Sequence, residues 1–260
     1  MQIRLLFIFI ICFFLFSCSK EDVDLTSSTI NEGLVAHYPL NGHPDDFSGN
    51  SNHGKISGAV PSSGRSGNDN TAFLFNGSSN VISLPKPFFE GKRVSQFTLS
   101  ITFRLNVLSK TASALWAKNG FWQGATVNVT PDGKLQFVSS IPTFQYQNCI
   151  SDMNIVEPNK WYNLVVSYDN AICSLYLNGT KIATKNSTLN QGGGKISDTM
   201  AGFVDFAQTP GGNSNGTNLI GCANSVNTGN TDFTNGVIDD FRLYNRILTN
   251  SEILFLSKNN

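Results

Sequence analysis

A strict alternation of apolar and polar residues through positions 96–105 is the clearest structural signal in the sequence. Apolar side chains occupy every second position, and polar side chains occupy the positions between them. Because successive side chains of a β-strand point to opposite faces of the sheet, this pattern predicts a strand with one face on a hydrophobic core. The apolar positions are Phe97, Leu99, Ile101, Phe103 and Leu105.

Turn signals divide the second half of the chain into short strands. The apolar run 161–168 is followed by Asp169-Asn170 and the run 171–177, after which Asn178-Gly179 leads into 181–183. These dipeptides tolerate the positive φ angles that two-residue hairpin turns require. The pattern therefore predicts a meander of antiparallel strands.

The number of such segments determines the fold class. About thirteen short strands with almost no helical periodicity predict an all-β protein, because two stacked antiparallel sheets bury the apolar faces of that many strands. The length of the chain suits one domain of this class. Further strands are predicted at 34–39, 54–60, 72–75, 81–84, 112–117, 126–129, 134–138 and 219–222.

One short helix is predicted at the C-terminus. Thr249 and Glu252 form a capping box, in which Thr249 is the N-cap and the Glu252 carboxylate reaches back to it. The apolar residues 253–256 follow, and we expect them to pack against the sandwich.

The first 31 residues differ in character from the rest. The apolar run 5–16 is shorter than the roughly 20 residues needed to span a bilayer, which predicts a signal peptide over residues 1–17. Leu15-Phe16-Ser17-Cys18 resembles the lipobox of bacterial lipoproteins, which implies acylation of Cys18, a linker over 18–31 and a domain over 32–260. Lys20-Glu21-Asp22 resembles the tag that sends Bacteroidetes lipoproteins to the outer surface of the outer membrane, although plain linker is the alternative.

Charge and motif content exclude several functions. The chain has 18 basic and 18 acidic residues without bunching of either sign, so the basic patch of a nucleic-acid-binding protein is missing. Its three histidines, His37, His43 and His53, lack zinc-ligand spacing. Serine-hydrolase elbows, P-loops and the E-x-D-x-x-E run of glucanases are missing too, which predicts a protein that is not an enzyme. A catalytic carboxylate pair from separate strands remains the alternative.

Six motifs follow one another along the chain: G-L-V-A-H-Y-P-L at 33–40, D-D-F-S-G-N-S-N-H-G at 45–54, F-N-G at 75–77, K-W-Y-N-L-V at 160–165, L-Y-L-N-G at 175–179 and I-D-D-F-R-L-Y-N-R at 238–246. Together they resemble the laminin-G-like family of concanavalin A-like jelly rolls, over roughly residues 32–257. The resemblance implies a two-sheet antiparallel jelly-roll sandwich with one short C-terminal helix, and N- and C-terminal strands lying side by side. It also implies a structural calcium ion where those terminal strands meet.

The loop 45–54 and the strand 236–245 supply oxygen atoms of the kind that Ca²⁺ prefers. By the resemblance, the predicted ligands are the side chains of Asp46 and Asp239, and less securely Asn50, Asn52 and the carbonyl of His53. The alternative is that Asp46 and the asparagines only form Asx turns that hold the loop, while Asp239 pairs with Arg242 or Arg246.

Cys149, Cys173 and Cys222 leave the disulfide question open. An exported protein permits a disulfide, and three pairings of these cysteines are possible. Cys173 shares a strand face with apolar neighbours, which favours a buried thiol that acts as a small hydrophobic residue.

Binding is the leading predicted function. Trp122, Gln123, Phe144 and Tyr146 combine aromatic rings with an amide, as sugar-binding platforms do, and the loop 191–218 is long enough to form a rim. The alternative for these aromatic residues is a place in the core or at a sheet edge. The sequence therefore predicts a glycan-binding module attached to the membrane through its lipid anchor only. Protein adhesion is the second possibility, and a polysaccharide lyase or hydrolase the third.

Overall fold

The protein is described by a computed structural model that covers residues 27–85, 88–89, 93–118, 124–141, 145–152, 154–186, 204–205, 218–225 and 229–259. Short strands dominate it, with a single helical turn before the first strand and one longer helix at the end of the chain. The elements are α1 (Ser27–Ile30), β1 (Leu34–Tyr38), β2 (Lys55–Ser57), β3 (Val60–Ser62), β4 (Ala72–Asn76), β5 (Val81–Leu84), β6 (Arg93–Val94), β7 (Gln96–Leu105), β8 (Ser113–Lys118), β9 (Ala125–Val129), β10 (Leu135–Ile141), β11 (Gln145–Ile150), β12 (Trp161–Asp169), β13 (Ile172–Leu177), β14 (Thr180–Asn186), β15 (Val204–Asp205), β16 (Asn218–Ile220), β17 (Ala223–Ser225), β18 (Gly229–Thr231), β19 (Asn235–Tyr244) and α2 (Asn250–Asn259).

Two antiparallel sheets form the predicted sandwich. The eight-stranded sheet has the order β14-β13-β12-β7-β19-β4-β3, with β1 also paired to β19, and the seven-stranded sheet has the order β11-β10-β9-β8-β16-β5-β2. The pairs β6–β15 and β17–β18 form two small additional sheets. The prediction of an all-β jelly roll with one short C-terminal helix is confirmed.

The core lies between the two sheets and contains the predicted apolar face of β7. Its side chains include Phe97, Phe103 and Trp116, all at most 1% exposed, and the Trp116 indole N–H donates to Asn218 Oδ1 over 3.0 Å. Trp116 is therefore a core residue. The described cysteines are free thiols, and Cys173 is buried in this core as predicted.

The alternate, polar side chains of β7 are buried as well. Thr98, Ser100 and Thr102 are fully buried. The amide of Asn163 donates to the hydroxyls of Ser100 (3.1 Å) and Thr102 (3.0 Å), so both hydroxyls keep a hydrogen-bond partner. The Thr98 hydroxyl donates to the carbonyl of Arg246 over 2.8 Å. Alternation in the sequence located the strand correctly. The three polar side chains can also be buried because each of them has a hydrogen-bond partner.

Helix α2 packs on the outer face of the eight-stranded sheet. Its capping box is present, since the Thr249 N–H donates to Glu252 over 2.7 Å and the Glu252 N–H donates to the Thr249 hydroxyl over 3.2 Å. Ile253 and Leu256 are buried, whereas Leu254 is 43% exposed. The expectation that all of residues 253–256 pack on the sandwich is therefore wrong for Leu254, because four consecutive residues cannot share one helix face.

Two predicted boundaries differ from the structure. The single strand predicted at 54–60 is two strands, β2 and β3, which belong to different sheets. The chain crosses between them at Gly58, whose φ of +78° favours glycine. The hairpin turn predicted at Asp169-Asn170 is shifted by one residue, because Asn170 and Ala171 carry the positive φ angles.

Strands β1 and β4 flank β19 on the same edge and leave a gap between them. Strand β4 pairs with β19 from Asn235 to Ile238, and β1 pairs with it from Phe241 to Tyr244. The pairing of β19 with β7 on its other edge shifts register between Ile238 and Phe241, which is a bulge. Asp239 and Asp240 therefore lie at a bulge between two partner strands, and the N- and C-terminal strands are adjacent as predicted.

Candidate functional site

The Asp46 side chain holds the loop between β1 and β2 together. Its Oδ1 accepts hydrogen bonds from the backbone N–H groups of His37 (3.0 Å) and Ser48 (2.9 Å). Its Oδ2 accepts from the Asn52 N–H (3.0 Å) and the Ser48 hydroxyl (2.9 Å). Burial raises the pKa of Asp46, but the three backbone donors outweigh burial and leave that pKa below its usual value. Asp46 is therefore an ionised residue that organises its own loop.

The other loop residues predicted to bind calcium are gathered around Asp46. The exposed Asn50 amide donates to the Val35 carbonyl over 2.9 Å. The carbonyl of Asn52 accepts from the Tyr38 hydroxyl, and the Asp46 N–H donates to His53 Nδ1 over 3.3 Å. The structure brings these four loop residues together, and the Ser48 N–H bond to Asp46 is an Asx turn of the kind that was the alternative to calcium.

Asp239 lies apart from this loop. The N–H and carbonyl of His37 bond to Asp46 and to the Phe47 N–H, so the loop follows the edge of β1 that faces away from β19. Roughly 10 Å, or two strand spacings, therefore separates the loop from β19. The Asp239 carboxylate accepts from the N–H groups of Arg65 (3.0 Å) and Asp240 (2.8 Å), and burial raises its pKa.

The predicted ligand set does not fit one calcium ion in this arrangement. An ionised carboxylate has about four lone-pair sites, and the hydrogen bonds to Asp46 use all of them. Among the residues that the structure describes, no group of three His, Cys, Asp or Glu side chains is placed to hold a metal ion. Calcium binding stays a prediction of the family resemblance.

Replacing Asp46 by alanine separates the two interpretations of the loop. We expect the variant to lose about 2–4 kcal/mol of unfolding free energy in the presence of EGTA, because three half-buried backbone N–H groups lose their acceptor. Urea denaturation with EGTA and with added Ca²⁺ measures this loss. A variant as stable as wild type in EGTA, but less stable than wild type in calcium, would show instead that Asp46 acts by holding the ion.

Asp240 connects the two terminal strands β1 and β19, and it was not among the predicted site residues. Its two oxygens accept from His37 Nε2 and Arg242 Nε, each over 2.7 Å. Burial raises the pKa of Asp240, but the charges of Arg242 and His37 lower it further than burial raises it. The alternative to calcium paired Asp239 with Arg242 or Arg246, whereas the structure pairs Arg242 with Asp240, two positions away on the same strand, and Arg246 with Glu252. The two-residue spacing of Asp240 and Arg242 in the sequence could have predicted their pairing.

Of the four predicted sugar-binding residues, Tyr146 alone lies within the described part of the chain. Trp122, Gln123 and Phe144 lie outside the described residues, as does most of the loop 191–218. Tyr146 lies in β11, where its backbone pairs with Ser140, and its side chain is outside the description. The strand ends that border these connections are adjacent, since Lys118 of β8 pairs with Ala125 of β9, which pairs with Ser139 of β10.

The outer face of this sheet, which points away from the core, carries polar groups without partners. Ala125, Val127 and Val129 of β9 point into the core, so Thr126 and Asn128 point outward. Both outward side chains are only 1% exposed, yet the Thr126 hydroxyl and both polar atoms of the Asn128 amide make no hydrogen bond.

Neighbouring strands extend this face. Thr126 stands opposite Ala117 and Val138, and Val138 stands opposite Asn148, whose Oδ1 also lacks a partner. Ala114 and Ala117 pack against Ala223 of the β17–β18 hairpin, which therefore borders the face on one side. The face thus combines small side chains with hydroxyl and amide groups that lack the partners buried polar groups normally have. We refer to Thr126, Asn128 and Asn148 as the polar face.

Sequence comparison finds a family match in the middle of the chain. Residues 76–202 match a laminin G family model, described as the concanavalin A-like lectin/glucanases superfamily. No curated protein sequence matches the chain. Among the described residues, no helix is long and apolar enough to cross a bilayer.

Solved structures share the fold at low sequence identity. Domain 4 of a GH43 extracellular arabinanase from Geobacillus stearothermophilus, solved in complex with arabinotriose, is 19% identical with a TM-score of 0.62, over 86% of this chain and 98% of that domain. The binding domain of Paraclostridial Mosquitocidal Protein 1 is 21% identical with a TM-score of 0.64 over 88% of this chain. The binding domain of botulinum neurotoxin DC, solved in complex with SialylT, is 15% identical with a TM-score of 0.62 over 88% of this chain. This chain spans about half, 52%, of each of the two toxin structures. Residues 76–202 therefore match the concanavalin A-like lectin/glucanases superfamily, and the chain shares its fold with these solved structures.

Proposed function

We propose that this protein is a carbohydrate-binding module whose ligand lies on the outer face of the seven-stranded sheet. The observation that carries the proposal is the polar face, where the Thr126 hydroxyl, both polar atoms of the Asn128 amide and the Asn148 Oδ1 lack hydrogen-bond partners. An unpaired buried polar group costs about 1–3 kcal/mol, so a ligand that pairs with these groups gains affinity. The similar arabinanase domain was solved with arabinotriose, which supports a sugar as that ligand.

A sugar suits these groups for a chemical reason. Each hydroxyl both donates and accepts, and the Asn128 amide offers two donors and an acceptor within one side chain. The solved structures of similar fold include binding domains, which supports binding over catalysis.

The test uses a substitution that removes the polar group but keeps the size of the side chain. Asn128→Leu is expected to abolish binding on a glycan array while leaving the melting temperature unchanged or higher, because it removes unpaired buried polar atoms. Thr126→Val should weaken binding of the same glycans. Thr184→Val, an exposed threonine on β14, is the matched control and should bind like wild type.

Two outcomes would contradict the proposal. Wild-type protein that binds no glycan on the array, but captures a protein partner, would favour the adhesion function. Asn128→Leu protein that binds glycans as well as wild type would place the sugar elsewhere on the molecule.

We also propose that an acylated Cys18 holds the module on the outer membrane, facing outward. The apolar run before Cys18 and the charged Lys20-Glu21-Asp22 after it support this location. Each buried methylene of a lipid chain contributes roughly 0.8 kcal/mol, so a multiply acylated cysteine anchors a domain firmly. Cys18→Ser is expected to move the protein from the membrane fraction to the soluble fraction. A variant that stays with the membrane would contradict the lipid anchor.

A further inference from the structure

Cys149 and Cys173 face each other across the core at one edge of the sandwich. Cys149 lies on β11, the edge strand of the seven-stranded sheet, and Cys173 lies on β13 of the eight-stranded sheet. Both side chains are buried in the same core cluster, and the Cys149 thiol donates to the Cys173 carbonyl over 3.4 Å. The two thiols are therefore neighbours that belong to different sheets.

A contact beside this pair fixes its position. Gln147 lies two residues before Cys149 and so on the same face of β11, and its amide donates to the Tyr168 hydroxyl over 3.0 Å. Tyr168 stands opposite Cys173 in the pairing of β12 with β13. The inner face of β11 is thus attached to the eight-stranded sheet at two successive positions, which holds the two thiols opposite each other.

The two thiol groups also interact directly. Burial raises the pKa of Cys173 well above its usual value, and the neighbouring Cys149 raises that pKa further. A hydrogen bond with the Cys173 side chain lowers the pKa of Cys149 by more than burial raises it. Cys149 is therefore the thiol that ionises first, and the thiolate is the form of cysteine that reacts. Side-chain rotation from hydrogen-bond distance is the movement that a disulfide of about 2.0 Å requires.

Cys222 is placed apart from this pair. It packs with Val81 and Leu219 in a cluster separate from the core cluster that holds the other two thiols. Burial raises the pKa of Cys222 to about 12, which keeps it in the unreactive thiol form. Of the three pairings that the sequence leaves open, the structure brings together the side chains of Cys149 and Cys173.

We infer that Cys149 and Cys173 form a disulfide that joins the two sheets once the chain meets a disulfide oxidant. The Cys149 thiolate attacks one sulfur of the oxidant's disulfide and displaces the other sulfur as a thiolate. Cys173, after losing its proton, attacks the Cys149 sulfur of this mixed disulfide and displaces the second sulfur of the oxidant. The protein loses two electrons and two protons, and the oxidant gains them as two thiols.

The compartment and the order of events follow from the position of the pair. Exported proteins meet such oxidants, so the bond suits the location proposed above, and it does not depend on which ligand the module binds. Because both thiols are buried in the folded chain, we expect the exchange to take place before the core closes. The bond would then hold β11 at the edge of the sandwich against the opposite sheet.

The test refolds the full chain, carrying Cys12→Ser and Cys18→Ser, from reducing denaturant into a glutathione redox buffer. Its remaining cysteines are Cys149, Cys173 and Cys222. Free thiols of the folded protein are then blocked with N-ethylmaleimide in acidic denaturant, and trypsin cuts the chain between Cys149 and Cys173. We expect one maleimide, on Cys222, and two tryptic peptides joined by a disulfide. Reduction with dithiothreitol before blocking should give three maleimides.

The melting temperature measures whether the bond joins the sheets. The oxidised protein should melt roughly 5–10 °C above the same protein in dithiothreitol, because the cross-link restricts the unfolded chain. This difference should disappear in Cys149→Ala. It should persist in Cys222→Ala, the matched control, which removes a buried thiol elsewhere in the molecule.

Three blocked thiols in the folded protein, or a disulfide that includes Cys222, would overturn the inference. A linked protein that melts no higher than the reduced protein would overturn the role of the bond in holding the sheets together. Because the mass measurement uses the three native cysteines, it stands even where Cys149→Ala folds poorly. None of these outcomes touches the polar face, which Asn128→Leu tests separately.

Discussion

Replacing Arg246 by alanine is expected to lower the free energy of unfolding by about 3 kcal/mol or more, because it leaves a buried carboxylate without its cation. The guanidinium donates to both oxygens of Glu252, over 2.6 and 3.0 Å, and Glu252 is 4% exposed. It also donates to the carbonyls of Glu32 (2.7 Å) and Thr29 (2.9 Å). One side chain therefore connects the segment before β1 to the helix after β19.

Urea denaturation at neutral pH measures the effect. Arg246→Lys is the control, and we expect an intermediate loss, since lysine keeps the charge but cannot donate to two oxygens in the same fork geometry. A loss within about 0.5 kcal/mol, as is usual for a surface substitution, would contradict this role for Arg246.

The Arg246–Glu252 pair also makes stability depend on pH. Burial raises the pKa of Glu252, but the Arg246 guanidinium and the N–H and hydroxyl of Thr249 lower it below its usual value. The stabilisation is therefore present above the unfolded-state pKa of about 4.3 and is lost as the pH falls through the lower folded-state pKa.

Replacing Asp240 by alanine is the second change with a large expected effect, again a loss of about 3 kcal/mol or more. His37 and Arg242 would both lose their acceptor in a site where the Asp240 side chain is only 6% exposed. Because His37 lies on β1 and Arg242 on β19, the variant should also loosen the pairing of the terminal strands. Faster hydrogen exchange of the amides paired between β1 and β19 would report that loosening.

The pH dependence gives this prediction its control. The folded-state pKa of Asp240 is lowered, so its contribution is complete above the unfolded pKa of about 3.9 and disappears as the pH falls below that value. The stability difference between wild type and Asp240→Asn should therefore shrink in acid. A difference that stays constant from neutral pH into acid would show that packing, rather than the ionised carboxylate, is responsible.

Local patterns predicted the fold well because they report directly on strand geometry. The alternation at 96–105 located β7, and the capping box at Thr249 located the start of α2. The crossing at Gly58 was missed because an apolar run shows that a segment is extended but not which sheet it joins. The turn at Asn170-Ala171 was misplaced by one residue, since Asp-Asn and Asn-Ala are both compatible with a tight turn.

The candidate sites were harder to predict because they depend on long-range pairing. Asp46 and Asp239 both suit calcium by residue type, but the hydrogen bonds of His37 place the Asp46 loop on the far edge of β1 from β19. The polar face was missed because Thr126 and Asn128 alternate with apolar residues as any solvent-facing positions would. Only the structure shows that they are buried without partners.

The central claim is that a glycan binds on the outer face of the seven-stranded sheet. A crystal structure of the chain with the tightest glycan from the array tests it most directly. The account predicts sugar hydroxyls within hydrogen-bond distance of the Asn128 amide and the Thr126 hydroxyl, beside the β17–β18 hairpin. A glycan bound only on another surface, with the Asn128 amide still unpaired, would contradict it.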